Sequence, residues 1–236
     1  MKVNDIYSLL ENRGVMVIFE IEKTEHAVPV CKALFNAGIS IIVFPLRSSI
    51  AETSIKIIKE AIPEMIIGAG TLIQRGQASR TKELGADFAL APGYNSVIAR
   101  EAKKMDLPFI PGVATPSELE AAVLGGMKVL NIFPACHLGG PEFLKGMNYP
   151  YEFLNLHYIP IGGVNEESLN TYASMPQVLT VGGTWITPKN LVRHKQWNEI
   201  SALAKRAMEI WNANKNTKPQ IYYEISNSLG PDYAQV

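Results

Sequence analysis

The chain has 236 residues, 47% of them apolar and 19% charged, ordinary values for a globular protein that exclude wholesale disorder. Lys plus Arg is 22 and Asp plus Glu is 22, so the net charge is zero and gives no electrostatic reason to bind nucleic acid or an acidic membrane. The cysteines, Cys31 and Cys136, are too few for a disulfide scaffold or a cysteine zinc site. Asn4, Asp5 and Glu11 interrupt the N-terminal segment, which therefore lacks the apolar core of a signal peptide. The longest apolar stretches, 14–19 and 39–46, fall far short of a membrane span, and a cytoplasmic location is expected.

Short β-branched runs alternate with segments of helical periodicity. After an extra N-terminal helix, the first strand is predicted over 15–21. A helix follows over 24–36, with Ala27, Val30, Cys31, Leu34 and Phe35 at helical spacing and Gly38 as its stop. A strand over 39–44 leads to a helix over 50–61. A strand over 64–67 precedes Gly68-Ala69-Gly70, and a helix over 74–84 is stopped by Gly85. Strand 87–91, helix 96–105 and strand 108–110 come next. Thr115 and Glu118 have capping-box spacing and Pro116 sits at the first helical position, which together open a further helix. Strand 127–133, a short helix over 141–146, strand 157–161, helix 166–173, strand 177–181 and a helix over 201–213 complete the pattern.

Eight strand–helix pairs argue for an α/β chain folded as a (β/α)8 TIM barrel, one domain over 1–211. The strands are continuous apolar runs, as a sheet covered on both faces requires. An open doubly wound sheet is the alternative, but no Gly-x-Gly-x-x-Gly turn follows the first strand. Residues 212–236 hold Tyr222, Tyr223 and Tyr233 among Asn, Lys and Pro. They read as a C-terminal tail, either a loosely ordered end or an arm that docks through its tyrosines.

In a barrel the loops after the strands build the active site. Gly162-Gly163 and Gly182-Gly183-Thr184 follow the last two strands, where backbone N–H groups can approach a phosphate without interference from a Cβ. The plainer reading is two tight turns. Arg47, at a strand end, suits a carboxylate, with the Thr71 hydroxyl beside it; the alternative is a surface ion pair. Glu20 ends the first strand and is either a general base or a neutralising partner for Arg47. Cys136 and His137 put a thiol next to an imidazole, but adjacent side chains diverge, and a plain loop is the expectation. His26, His157 and His194 show no ligand spacing, so no metal is expected.

Taken together and in order, these segments resemble the 2-keto-3-deoxy-6-phosphogluconate (KDPG)/4-hydroxy-2-oxoglutarate (KHG) aldolases. The motifs are EHAVP at 25–29, LR at 46–47, IIGAGT at 66–71, APG at 91–93, IPGVATPSE at 110–118, FPA at 133–135, PIGGV at 160–164 and VGGTW at 181–185. The resemblance covers the chain from Lys2 to Trp211. It implies a lyase that cleaves a 2-keto-3-deoxy sugar acid phosphate to pyruvate and an aldehyde. A lysine on the sixth strand would form a Schiff base with pyruvate and a glutamate on the second would move protons. No organic cofactor is implied, and the assembly implied is a homotrimer. Arg47, Thr71, Pro92 and Phe133 match the substrate-binding positions, and Gly162, Gly163, Gly182, Gly183 and Thr184 the phosphate turns.

The chain departs from that pattern at its centre. Counting back from Phe133-Pro134, the Schiff-base position is Asn131, whose amide nitrogen is not nucleophilic. Counting back from Leu46-Arg47, the glutamate position is Val43, which has no titratable proton. The threonine before the first Gly-Gly pair is replaced by Ile161. Lys128 has the opposite strand parity to Asn131 and should point outward near the barrel bottom. Lys23 is the first candidate to reach the mouth, with Lys189 behind it. The reading is a family member by descent that lacks normal Schiff-base catalysis and retains a site for a small phosphorylated or carboxylated metabolite. Two alternatives stand beside it: an active aldolase with a relocated lysine, and enolising chemistry based on Glu20.

Overall fold

A computed structural model describes residues 10 and 13–215. Apart from Leu10 and Arg13, the helix expected ahead of the first strand lies outside the described residues, as does the tail beyond Lys215.

β1 (Val15–Ile18) pairs in parallel with β2 (Ile41–Pro45), β2 with β3 (Ile66–Gly70), β3 with β4 (Phe88–Leu90) and β4 with β5 (Phe109–Ile110). On its other side β1 pairs with β9 (Val181–Gly183), with Met16 opposite Gly182. A second parallel sheet joins β6 (Gly112–Val113), β7 (Val129–Ile132) and β8 (His157–Pro160). Two links connect the sheets. Pro111 alone separates β5 from β6, and Ile161 forms a parallel bridge to Gly182. The fold is therefore α/β, a curled parallel sheet. Pro111 marks the break because it has no N–H to give the ladder, although its carbonyl accepts from Asn131 N at 2.8 Å.

The helices α1 (Ala27–Asn36), α2 (Ser49–Ala61), α3 (Gln77–Glu83), α4 (Ser96–Lys104), α5 (Pro116–Leu124), α6 (Gly140–Asn148), α7 (Glu166–Ser174), α8 (Lys189–Arg193) and α9 (Trp197–Lys215) follow the strands. Their starts are written in the sequence. Ser48, Asn95, Thr115 and Asn165 each accept a hydrogen bond from a backbone N–H of the first turn. The Thr115–Glu118 pair forms only half of the expected box. Thr115 Oγ1 accepts from Glu118 N at 3.3 Å, but Glu118 Oε2 accepts from Ala114 N at 2.8 Å rather than from Thr115. Among the described residues no helix is long and apolar enough to cross a membrane.

Alternate residues of each strand enter two different cores. Met16, Ile41, Val43, Ile66, Phe88, Leu90, Ile110, Val129 and Ile159 meet inside the curl, with Leu10 packed among them. Val15, Val17, Ile42, Phe44, Ile67, Leu130 and Tyr158 face the helices. Both faces are buried, which is why the strands read as unbroken apolar runs.

Several boundaries differ from expectation. β1 stops at Ile18 because the chain then turns across the mouth, where Glu20 meets Arg47 beyond β2 and Glu22 meets Arg193 of α8. β3 starts at Ile66 and contains Gly68-Ala69-Gly70, which the strand expected over 64–67 stops short of. The last strand is Val181–Gly183 rather than 177–181, with Val178 only bridging Tyr158. α9 begins at Trp197, ahead of the predicted start at 201, and runs to Lys215.

Candidate active site

The carboxyl ends of the strands open onto a pocket of about 330 Å³, a size suited to a small ligand. Of the residues singled out from sequence, Glu20, Val43, Arg47, Thr71, Pro92, Asn131, Phe133, Ile161, Gly162, Gly163, Gly183 and Thr184 all line it. Gly182 does not. It sits one residue deeper in β9, where a Cβ would lie 2.8 Å from Ile161 Cγ1. Ile18 and Leu90 also line the pocket and were missed. Strand parity could have found them, because each lies two residues beyond an inward-facing Met16 or Phe88.

Asn131 stands on β7 with the inward parity of Val129 and is 3% exposed. Its Nδ2 donates to the carbonyl of Ala91 at 3.1 Å, which fixes the orientation of the amide, since only the NH2 end can meet a carbonyl. Its Oδ1 is buried and has no hydrogen-bond partner among the described residues. The pocket's other strand residues here, Ile18, Val43, Leu90 and Ile161, are apolar.

The rim is charged. Glu20 Oε1 accepts from Arg47 Nη1 at 2.6 Å, and Glu20 Oε2 lies 3.0 Å from Lys189 Nζ. Glu22 accepts twice from Arg193, at 2.8 and 2.7 Å, and Glu25 lies 3.3 Å from Lys195. The Arg193 hydrogen bonds hold the Glu22 carboxyl below its ordinary value, and the Lys195 hydrogen bond does the same for Glu25. These pairs tie the loop after β1 to α8 and its flank. Lys189 is thus a lysine beside the pocket through its contact with Glu20, and Lys128 is exposed at the foot of β7. Among the described residues no lysine lines the pocket wall.

The glycine turns are sterically demanded. Gly162 has φ +99°, and a Cβ there would lie 2.9 Å from Pro134 Cα. Gly163 has φ +79°, with Cys136 Cβ and His137 Cε1 each 3.0 Å from where its Cβ would be. A Cβ on Gly183 would collide with the Trp185 ring. Gly162-Gly163 thus form a tight turn, whereas Gly182 and Gly183 are the last residues of β9 rather than the expected second turn, and Gly162, Gly163 and Gly183 bring backbone to the pocket wall.

Cys136 and His137 lie in a 3-10 turn over Ala135–Leu138, behind Gly163 rather than in the pocket wall. Cys136 Sγ donates toward Ser168 Oγ at 3.7 Å. Burial, with Cys136 adjacent, pushes the Tyr172 hydroxyl well above its ordinary value. His26 packs edge-on against Trp197 with ring centroids 5.7 Å apart, His157 is buried in β8, and His194 Nδ1 lies 2.8 Å from Asn190 O. Among the described residues no three His, Cys, Asp or Glu side chains are grouped to hold a metal ion.

Comparison with known proteins agrees with this architecture. The family model for KDPG and KHG aldolase matches residues 6–203. The KHG/KDPG aldolase of Escherichia coli (strain K12) is 33% identical over 202 residues, covering 86% of this chain and 94% of that protein. The crystal structure of KDPG aldolase from Legionella pneumophila, with pyruvate captured as a covalent carbinolamine intermediate, matches with a TM-score of 0.80 at 30% identity over 85% of this chain and 97% of that one. The 2-keto-3-deoxy-6-phosphogluconate aldolase of Zymomonas mobilis ZM4 with 3-phosphoglycerate matches with a TM-score of 0.79 at 31% identity, covering 87% of this chain and 95% of that one. The chain belongs to the KDPG and KHG aldolase family.

Proposed function

We propose that this protein binds a small phosphorylated or carboxylated metabolite in the pocket and does not form an imine with it. One observation carries the reading: the polar group at the pocket floor is the Asn131 amide, held by Ala91, and no lysine stands in the wall among the described residues. An imine requires a free amine lone pair, and an amide nitrogen has none to give. Asn131 takes the Schiff-base position and Val43 the glutamate position, as the spacing from Phe133 and Arg47 supports. Ile161 takes the position of the lost threonine.

Retention of a ligand is supported by what remains. Arg47 and Thr71 supply donors, Pro92 and Phe133 supply apolar wall, and the stretches Gly162-Gly163 and Gly183-Thr184 supply backbone. A Zymomonas relative was crystallised with 3-phosphoglycerate, which carries both kinds of anion. Enolisation by Glu20 fits less well, because both its carboxylate oxygens already face cations. A second reading, an aldolase with a relocated lysine, has one observation behind it: Lys189 Nζ lies 3.0 Å from a pocket carboxylate. We also read the two sheets as one closed (β/α)8 ring, with β5 and β6 a single strand interrupted at Pro111, and the assembly as the family's homotrimer.

Borohydride trapping with pyruvate, followed by intact mass, tests the central point. The expected outcome is no adduct, with an active relative labelled in parallel. A pyruvyl adduct mapped to Lys189 would overturn the reading in favour of the relocated lysine.

A further inference from the structure

Glu20 is the only acidic residue and Arg47 the only basic residue that line the pocket among the described residues. They are already paired at 2.6 Å, and the second Glu20 oxygen holds Lys189 at 3.0 Å. A ligand carboxylate that approached Arg47 would replace one ion pair with another and would meet Glu20 as a like charge at close range. A ligand hydroxyl has no such conflict. It donates to Glu20 and accepts from Arg47 without breaking their contact. The floor also calls for a hydroxyl, which sugars, polyols and sugar acids all carry, so the discrimination itself falls to Glu20. Asn131 Oδ1 is a buried acceptor without a partner among the described residues, which a hydroxyl satisfies and a ketone or carboxylate oxygen cannot. The stretches Gly162-Gly163 and Gly183-Thr184 bring backbone to the wall, where a phosphate can be met.

We propose that the pocket selects phosphorylated polyols and sugars over sugar acids of the same length, and that Glu20 is the residue that discriminates. This rests on the reading that the pocket binds a phosphorylated metabolite without an imine.

The test is calorimetric titration of the full chain, at one ionic strength, with glucitol 6-phosphate and with 6-phosphogluconate. These two differ only in a hydroxymethyl or a carboxylate at carbon 1. The wild-type protein should bind glucitol 6-phosphate about tenfold more tightly or better. Glu20→Gln keeps the size of the side chain and removes its charge, and should bring the ratio to about one or reverse it, with an unchanged melting temperature confirming the fold. Equal or tighter binding of 6-phosphogluconate by the wild type would overturn the proposal and leave the binding function standing. So would a ratio that Glu20→Gln does not move. If the folded wild type binds neither compound, the phosphate-binding reading itself fails.

Discussion

The ring of Phe88 occupies the space that a side chain on Gly68 would take: a Cβ there would lie 2.5 Å from Phe88 Cζ. The two residues are register partners on β3 and β4, so one strand's missing side chain is filled by its neighbour's aromatic ring. Gly68→Ala should overpack the inner core and destabilise by about 1–3 kcal/mol. Phe88→Ala should open a cavity and cost about 3–5 kcal/mol. In Gly68→Ala/Phe88→Ala the loss should be less than the sum of the separate effects, because the smaller side chain makes room for the new methyl. Urea unfolding of the four proteins measures the coupling, and strict additivity would refute the pairing.

The same Gly-to-Ala change should have opposite signs at two sites. At Gly162, φ +99° and the nearby Pro134 Cα make a Cβ costly, by about 1–3 kcal/mol, and metabolite affinity should fall with it. At Gly146, inside α6, a Cβ meets nothing within 4 Å, and Ala should stabilise by about 0.5–1 kcal/mol. Thermal melts alongside calorimetry would show both signs. A neutral Gly162→Ala would mean that this turn tolerates a side chain.

These glycines also show what could be read without coordinates. The turn at Gly162-Gly163 was visible from its Gly-Gly pair, but the second pair, Gly182-Gly183, ends β9 itself instead of following it. The strand expected over 64–67 stops short of Gly68-Ala69-Gly70, because local glycine content cannot reveal a Phe88 ring arriving from the next strand. The opposition of Glu20 and Arg47 was legible from charge and from their places at neighbouring strand ends. The position of Lys189 was not, since its contact with Glu20 exists only once β9 lies beside β1. The shortened β1 has a similar cause: apolar residues continue to Phe19 and again at Ile21, but the ion pairs of Glu20 and Glu22 are made off the sheet.

The Glu22–Arg193 contact has a defined pH signature. A carboxyl held below its ordinary value of 4.5 in the folded state contributes stability that is complete above that value and is lost as pH falls through the depressed one. The tie between the β1 loop and α8 should therefore be intact at neutral pH and loosen only in acid. Carboxyl-carbon NMR should show Glu22 titrating below 4.5, and Arg193→Gln should move it upward. An identical curve in the variant would remove Arg193 as the cause.

On the proposed reading, Asn131→Lys together with Val43→Glu should give covalent chemistry. Asn131→Lys alone places an amine among Val43, Leu90 and Ile161 and should destabilise the chain, since an ammonium there lacks a carboxylate. Adding Val43→Glu should recover about 1–3 kcal/mol of that loss through the new pair. The double variant should give a pyruvyl adduct on borohydride treatment. Failure to trap any adduct in the folded double variant would show that Asn131 does not hold the Schiff-base position.

The pairing of Met16 with Gly182 sets a late step in the making of this protein. During synthesis β1, with the sequence VMVI, leaves the ribosome long before β9 exists. Throughout that interval one edge of an apolar strand has no neighbour to cap it, the condition under which growing chains stick to one another. Only arrival of the second glycine pair closes that edge. Gly183, which lines the pocket and pairs with Val17, is thus also among the residues that end the nascent chain's exposure.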